Sequence, residues 1–501
     1  MANEIYPVSW WGSPVENGWG GIYYNLAATT STWYASQLGA GTKDGTSEAN
    51  ASDATSIPYA SMGVRDTLYL MDTITEPLNI GVSDIDIRGD LAGRELIHNT
   101  EVANPTSGFQ WLNAGVARMY GGTYTKGNIN CILFDGAYNL ETFNVIVSDC
   151  RNNQNISLDG TGTAVLNDLT STGALDDGVT GHDSANVTIQ GLNTNISGNS
   201  EGIAMAGTSV LKIRNCTITG NTNADVSFAV DAEDCTFGII KPLLNDVVKL
   251  NRVTITNIID DQGGADYNIT NSVVNDVFFR SSSTGTIEQS LIKSDFDAVG
   301  NLTFSKCRFL GDIRPNGGEH TFKHNFFSNE ISDNHSFEAS NVIVNVYYNV
   351  FKAIPDSKQV ALVRAGTTWN SNNNTYMSET LVSQRGLGTY ITITESNSII
   401  TNLNRGFNAY GGSPISNTNL FYNATSSGVT ENNSVSGDPL FVDVANDDFS
   451  LGALSPAIGA GLSLTENEGI DTANWGNGVD ESPIVTTKLQ GANWDIGAYI
   501  S

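Results

Sequence analysis

The sequence repeats a four-residue unit about every twenty residues, and this repeat restricts the possible folds more than any other feature. The unit is a polar residue, a small residue, any residue and an apolar residue. Eight clear copies occur, at Asn215–Ile218, Asp234–Phe237, Arg252–Ile255, Asn271–Val274, Gln289–Ile292, Lys306–Phe309, His324–Phe327 and Tyr348–Phe351. Fainter copies centre on Asn374, Asn397 and Asn419. A period of this length indicates a stacked architecture in which each turn packs on the next.

Short segments with alternating apolar residues lie between the copies, for example Val187–Ile189, Leu211–Ile213 and Leu302–Phe304. Gly, Asn, Asp and Ser separate them, which is the composition of strands joined by tight turns. Helical periodicity is scarce here, so we predict an all-β solenoid, a parallel β-helix with three short strands per rung. The second position of the unit, a cysteine in three copies, is expected to stack inside the solenoid at a strand spacing of ~4.8 Å.

From Asp66 to Asn423 this pattern resembles the right-handed parallel β-helix proteins, the superfamily of pectate lyase-like enzymes and many phage tailspikes. Four further segments resemble the closing part of bacterial β-helix repeat proteins: Gly437–Asp443, Asp448–Leu451, Ser455–Gly461 and Asp495–Tyr499. Such a part would cover the open last rung as a C-terminal cap. We therefore predict three parts: an aromatic-rich attachment or capping segment at 1–65, a parallel β-helix at 66–423 and a capping segment at 424–501.

The N-terminal part is unusually aromatic, because it holds four of the eight tryptophans, namely Trp10, Trp11, Trp19 and Trp33. They form either a plug for the first rung or a docking surface for another protein. The opening Glu4–Gly12 is similar to the start of some phage structural proteins.

The chain is strongly acidic, with 53 Asp plus Glu against 24 Lys plus Arg and a formal net charge of -29. This charge argues against nucleic acid and anionic membrane as partners, and leaves glycans open. No apolar run is long enough for a membrane-spanning helix, and Met1–Ala35 lacks the pattern of a signal peptide, so we expect no membrane insertion.

The densest polar segment is Leu175–Asp183. Aligning the repeats with a shift of 24 residues places Asp177 on Glu201, and a shift of 23 residues places His182 on Asp159. Two stacked columns are therefore predicted, one of Gln154, Asp177 and Glu201 and one of Asp159, His182 and Ala206.

Stacked carboxylates repel, so one of them is expected to hold a proton near neutral pH, which gives the acid and base of a glycoside hydrolase. A histidine beside an aspartate could likewise transfer a proton. The candidate catalytic residues are therefore Asp177, Glu201, Asp159, His182 and Asp176. The alternative is structural: Asp-Gly forms a corner in which the glycine supplies a positive φ, and His182 fills a polar ladder.

Other chemistries have weaker patterns. A β-elimination would need a cationic strip, for which the candidates are Lys212, Arg214, Arg252, Arg280, Lys293, Lys306 and Arg308, and the alternative is that these residues pair with Asp and Glu. No cofactor is predicted, with calcium as an alternative at Asp260, Asp261 and Asp266 or at Asp443, Asp447 and Asp448. Sugar-stacking aromatic residues are expected at Tyr267, Phe278, Phe279, Tyr347, Tyr348, Trp369 and Tyr376.

These features together predict a bacteriophage virion surface protein, a tail or head spike or fibre that engages a host cell-surface polysaccharide and in one version degrades it. Its expected partners are that polysaccharide, other virion proteins and two further copies of the chain in a homotrimer. The alternative is a secreted bacterial polysaccharide lyase or glycoside hydrolase, placed outside the cell or on its surface.

Overall fold

The structure is a computed structural model that describes residues 30–99, 107–112, 115–259, 263–279, 282–328, 335–352, 359–476 and 481–501. Parallel ladders join each strand to the strand one repeat later, as in Asn195 with Thr217 and Thr217 with Thr236. The predicted all-β parallel β-helix is confirmed. The described residues contain no α-helix and three 3-10 helices, Glu48–Asn50, Tyr59–Ser61 and Val444–Asn446. None of these helices is long and apolar enough to span a membrane.

Each rung contributes one strand to each of three faces, which we name A, B and C in chain order; a strand that continues around a corner is given under both of its faces. Face A consists of Thr73–Ile74, Ile97–Asn99, Thr123–Thr125, Ile146–Ser148, Thr170–Thr172, Asn195–Ser197, Thr217–Ile218, Thr236–Ile240, Thr254–Ile259, Val273–Phe278, Leu291–Ile292, Arg308–Phe309, Phe326–Phe327, Val350–Lys352, Thr375–Thr389, Ile399–Ala409, Leu420–Tyr422 and Val435–Ser436.

Face B carries the residues of functional interest. Its strands are Leu78–Ile80, Phe109–Leu112, Ile132–Phe143, Ile156–Asn167, Asp177–Gly181, Glu201–Met205, Ala224–Ser227, Thr236–Ile240, Thr254–Ile259, Val273–Phe278, Phe296–Ala298, Ile313–Pro315, His335–Ala339, Gln359–Val363, Thr375–Thr389, Ile399–Ala409 and Ser426–Ser427.

Face C completes each rung. Its strands are Thr32–Ser36 with Ser52–Asp53 beside it, Thr67–Leu70, Asp86–Arg88, Gly115–Tyr120, Ile132–Phe143, Ile156–Asn167, Ser184–Gln190, Val210–Arg214, Val230–Glu233, Val247–Asn251, Asp266–Thr270, Thr284–Glu288, Asn301–Ser305, Glu319–Lys323, Ile343–Tyr347, Thr368–Asn372, Thr394–Ser396, Ile415–Asn417 and Thr430–Asn432.

The repeated unit marks the corner between faces C and A. Its first residue has a positive φ, for example 54° at Asn215 and 55° at Asp234, a conformation that Asn and Asp tolerate better than most residues. The second residue points inward. Where it is Ser or Asn, its side chain accepts a hydrogen bond from the backbone of the preceding rung, as Asn349 Oδ1 does from Asn325 N at 2.9 Å. This bond satisfies a backbone group that a bent, buried corner would otherwise leave without a partner.

The predicted faint copy at Asn397 is displaced by one residue. Asn374 N donates to Ser398 Oγ at 3.0 Å, and Ser398 N donates to Asn419 Oδ1 at 2.6 Å. Ser398 is therefore the inward residue of that rung, and Asn397 is the corner residue with a positive φ of 55°.

The interior is filled by stacked aromatic rings. Phe309, Phe327, Phe351 and Tyr376 lie in one column, with centroids 4.8, 4.5 and 5.0 Å apart. The prediction that exposed aromatic side chains would bind sugar is wrong for several of them. Tyr267, Phe279, Trp369 and Tyr376 are buried in the interior, and Tyr348 is buried under the C-terminal segment, where its hydroxyl donates to Glu466 O at 2.7 Å. All five cysteines are buried and free, as expected for residues that fill the interior.

The C-terminal segment folds back over face A. It contains two antiparallel pairs, Phe441–Asp443 with Asp448–Leu451 and Glu468–Asn474 with Ile484–Leu489. Its buried side chains pack on outward-facing apolar residues of face A, among them Phe326, Val350, Met377, Ile399 and Leu420. These strands are apolar on both sides, and such strands need cover on both sides.

The parallel ladder is longer at both ends than the sequence indicated. Thr32–Ser36 pairs with Thr67–Leu70 before the predicted start at 66, and Val435–Ser436 pairs with Leu420–Tyr422 after the predicted end at 423. Trp33 Nε1 donates to Asp66 Oδ2 at 2.9 Å. Trp10, Trp11, Trp19 and the segment 4–12 lie outside the described residues, and the division into three domains stays a prediction.

Candidate functional site

The predicted site residues lie on the N-terminal half of face B, in the two columns that the repeat indicated. Asp177 and Glu201 are Cα partners on neighbouring strands, so their backbones are ~4.8 Å apart. Leu158 is paired with Gly181, which puts Asp159 beside His182 in the next rung. The register of both columns therefore follows from the sequence.

The outward direction of Asp177 depends on its neighbour Gly178. A Cβ at Gly178 would point inward, 2.8 Å from Asn199 Nδ2 and 2.6 Å from Gly202 O. Gly178 and Val179 thus both face the interior, and Asp177 and Thr180 both face outward. The expectation that this glycine supplies a positive φ is wrong, because its φ lies outside the left-handed region and it is the lack of a side chain that the packing requires.

Asp177 holds its proton to a higher pH than an ordinary aspartate does. Its side chain is 7% exposed, and burial raises its pKa from 3.8 to about 6, with further increases from the charges of Asp176 and Glu201. Hydrogen bonds from Thr180 and Gln154 act in the opposite direction; Thr180 Oγ1 donates to Asp177 Oδ2 at 2.9 Å. A carboxyl group with this pKa can act as a general acid.

Asp176 forms the corner that precedes the strand. Its side chain is exposed, and its backbone carbonyl accepts hydrogen bonds from Ser200 N at 2.8 Å and Glu201 N at 3.2 Å. Asp176 thus fixes the start of the Glu201 strand and adds negative charge beside Asp177.

Asp159 and His182 form the second cluster. His182 Nε2 lies 3.8 Å from Asp159 Oδ1, and both side chains are partly exposed, at 43% and 36%. Ser157 Oγ donates to the same Asp159 oxygen at 2.8 Å. A protonated His182 would form an ion pair with Asp159 at this distance.

A column of Ser157 and Thr180 separates the two clusters, since these residues are Cα partners. Residues 177 and 182 are five positions apart along one strand, which corresponds to ~16 Å. Two carboxyl groups that cleave one glycosidic bond lie within about 9.5 Å of each other. The structure therefore brings Asp177 together with Glu201 and Asp176, and holds Asp159 and His182 too far away to complete that pair.

Sequence reasoning missed Asp135 and Asp312 on the same face. Asp135 is the Cα partner of Asp159, and its signal was the pair Asp135-Gly136 repeated 24 residues later as Asp159-Gly160. Asp312 is 5% exposed, and burial raises its pKa to about 7, with the charges of Asp295, Glu338 and Asp297 also raising it and that of Arg314 lowering it. No motif in the sequence marks Asp312.

Three residues of the cationic strip considered for β-elimination, Arg214, Arg252 and Lys306, are paired with carboxylates. Arg252 contacts Glu233 and Asp234 at 2.6 Å each, and Lys306 Nζ lies 3.0 Å from Glu288 Oε1. Arg308 donates to the carbonyl groups of Trp475 and Gly476 in the C-terminal segment. Arg280 lies outside the described residues.

Metal ligation has little support in the described part of the chain, where no group of three or more His, Cys, Asp and Glu is arranged to hold an ion. Asp260 and Asp261 lie outside that part. Asp447 is paired with Lys352 at 2.7 Å, and Asp266 accepts a hydrogen bond from Thr284 at 2.9 Å. Calcium stays a prediction.

No protein-family model matches the chain, and no curated protein sequence matches it significantly. Among solved structures it is similar to the complex of XylC with xylose, at 9% identity and a TM-score of 0.30 over 82% of this chain and 87% of that chain. It is also similar to the crystal structure of pectate lyase Pel9A, at 13% identity and a TM-score of 0.18 over 94% of this chain and 97% of that chain. At this identity and TM-score neither likeness bears on function, and the parallel β-helix fold rests on the strand register of the chain itself.

Proposed function

We propose that this β-helix binds a polysaccharide along face B. The observation that carries the proposal is the stacked pair Asp177 and Glu201 on an extended, polar strand face, beside the Ser157 and Thr180 column. The hydroxyl and carboxyl groups of these two or three adjacent rungs offer hydrogen-bonding groups to a sugar chain.

A finer version of the proposal is hydrolysis of a glycosidic bond, favoured by the pKa of about 6 at Asp177. Protonated Asp177 donates its proton to the glycosidic oxygen as the bond to the anomeric carbon breaks. Glu201 then attacks that carbon, or removes a proton from a water that attacks it, depending on the separation of the two carboxyl groups. Water completes the reaction in both cases, and one new reducing end forms per bond.

The variants Asp177→Asn and Glu201→Gln test this version. Each should lower turnover of a cleaved polysaccharide by at least about 100-fold and leave binding in place, because the acid or base is lost while the polar shape is kept. New reducing ends report cleavage, and co-sedimentation with insoluble polysaccharide reports binding. The control is Asp266→Asn, an exposed carboxylate on face C.

The wild-type pH profile sharpens this test. Because Asp177 must be protonated to act as the acid, kcat/KM should fall as pH rises through about 6. Turnover that is unchanged in both variants would contradict hydrolysis at this pair. Binding without turnover in any form would leave a polysaccharide-binding protein.

In its most specific form, the proposal is that the chain is a trimeric spike or fibre of a virion. The alternative is a secreted bacterial enzyme. Its support is the opening segment 4–12 and the acidic, polar solenoid. Light scattering tests it, since a trimer has three times the 53.4 kDa mass of one chain. A monomer would favour the secreted enzyme.

A further inference from the structure

The C-terminal half of face B contains two arginines in adjacent rungs. Gln359, Arg385 and Arg405 are successive Cα partners, so the two arginine backbones are ~4.8 Å apart. Like charges at this spacing repel each other, and an anion between or beside them offsets that repulsion.

Both arginines have neutral hydrogen-bond partners. Arg385 Nη1 donates to the Tyr410 hydroxyl at 2.5 Å, and Arg405 Nη1 donates to Asn408 Oδ1 at 3.0 Å. Neither has a carboxylate partner among the described side chains, although the chain has 53 acidic residues for 24 basic ones.

Arginines of nearby rungs on the same face differ in this respect. Arg314 Nε lies 3.0 Å from Asp297 Oδ1, and Arg364 is paired with Glu338. Among the described side chains of these rungs, Arg385 and Arg405 thus differ from Arg314 and Arg364 in having no carboxylate partner.

Two exposed tyrosine rings lie beside the arginines. Tyr390 and Tyr410 are stacked with centroids 4.9 Å apart, and they are 45% and 40% exposed. The guanidinium carbon of Arg385 lies 5.7 Å from the centroid of the Tyr410 ring. Rings that remain exposed in an ordered stack offer a flat surface to a sugar ring.

A buried glutamine holds this cluster in place. Gln359 is 3% exposed; its Nε2 donates to Ala361 O at 2.8 Å, and its Oε1 accepts from the Tyr410 hydroxyl at 3.0 Å. Its side chain fills the space over Gly388, where an added Cβ would lie 1.6 Å from Gln359 Nε2. The positions of Tyr410 and, through its hydroxyl, of Arg385 are thus fixed before any ligand arrives, which lowers the cost of binding.

We propose that Arg385, Arg405, Tyr390 and Tyr410 form a binding site for a sugar unit that carries a carboxylate. The guanidinium groups take the carboxylate, since their planar donors match its two oxygens, and the tyrosine rings take the face of the sugar. The site lies roughly nine strand spacings from Glu201, on the order of 40 Å along face B. This inference rests on the proposed polysaccharide binding and adds an anionic sugar to it.

The test measures binding of three uronate-containing oligosaccharides, here called oligouronates, namely galacturonate, mannuronate and hyaluronan oligomers, and of their carboxyl-reduced counterparts, by calorimetry. The wild-type chain should bind at least one oligouronate at least about tenfold more tightly than its reduced counterpart, and added salt should weaken this binding. The double variant Arg385→Gln with Arg405→Gln should lose at least about tenfold in affinity. Tyr390→Ala should weaken binding of the oligouronate and of its reduced counterpart alike.

The matched control is Lys212→Gln with Lys249→Gln, which removes two exposed charges from face C. An equal loss of affinity in this control would show unspecific charge attraction and overturn the proposal, as would wild-type affinity in the arginine variant. An unchanged thermal midpoint in each variant shows that folding is intact.

The outcomes also separate this site from the proposed function. Binding of neutral polysaccharides with no binding of any oligouronate overturns the inference alone. Absence of binding to every neutral and acidic glycan overturns both.

Discussion

Two places on face B share one backbone geometry and carry side chains of opposite charge. In the N-terminal half Asp177 and Glu201 are stacked with no cationic partner among the described side chains. In the C-terminal half Arg385 and Arg405 are stacked with no carboxylate partner there. Between them, Arg314 is paired with Asp297. Outward positions of a β-helix contribute little to its core, so their charge can be set by function.

The halves also differ on face A. Strands of the N-terminal half present Thr outward, as at Thr170, Thr217 and Thr236, and remain open to solvent. Strands of the C-terminal half present Phe326, Val350 and Ile399 outward and are covered by the C-terminal segment. The stability of the C-terminal half therefore depends on a distant part of the chain, whereas no described segment covers these strands of the N-terminal half.

The largest expected effect tests the difference between the covered and the open half of face A. Trp475 is buried against Phe326, with ring centroids 5.3 Å apart, and donates to the Tyr499 hydroxyl at 3.0 Å. Trp475→Ala should lower the free energy of unfolding by about 3–5 kcal/mol. Hydrogen exchange should accelerate in rungs 308–420 and stay unchanged in rungs 123–237.

Leu489→Ala is the matched control, since Leu489 belongs to the same segment and is 68% exposed. Faster exchange throughout the solenoid in Trp475→Ala would show that the two halves unfold as one unit.

A smaller effect, an increase in the free energy of unfolding, is expected when Asp177 is replaced. Its pKa is 3.8 in an unfolded chain and about 6 in the fold, so the folded state binds more protons between these values. Stability from this group is present below pH 4, falls as pH rises through about 6 and is constant above that. Asp177→Asn should therefore stabilise the protein at pH 7.5 by about 1–3 kcal/mol.

Denaturant unfolding at several pH values checks this prediction. The difference between variant and wild type should grow from pH 4 to pH 6.5 and then level off. A variant Asp177→Asn that is less stable than the wild type at pH 7.5 would show that Asp177 stabilises the fold. The ionised Asp177 would then carry no electrostatic cost, and the argument that it is kept for function would fail.

The smallest effect is expected at His182. Its pair with Asp159 is partly exposed and 3.8 Å long, so His182→Gln should change stability by less than about 1 kcal/mol. Thermal unfolding measures this change, and a loss well above about 1 kcal/mol would show that the pair ties the two rungs together.

The sequence predicted the rungs because each corner needs the same chemistry. A residue in the left-handed conformation, such as Asn215, followed by an inward residue, such as Cys216, recurs along the solenoid, and the same spacing placed Asp177 on Glu201. The location of the aromatic side chains was harder to predict. Tyr267 and Tyr390 are the same residue type, yet the ring of Tyr267 lies in the interior and that of Tyr390 is exposed. Which side a residue faces depends on the alternation of inward and outward side chains along its strand. A single inward glycine such as Gly178 interrupts that alternation.

The C-terminal cover has a consequence for the order of events during synthesis. Arg308 binds the carbonyl of Trp475, 167 residues later. Rungs of the N-terminal half can close on one another as they leave the ribosome. The apolar outer side of face A from Phe326 to Leu420 stays exposed to water until the last sixty or so residues have been made. A ribosome that stalls in that interval leaves a nascent chain with a hydrophobic strip exposed, the kind of surface that chaperones bind.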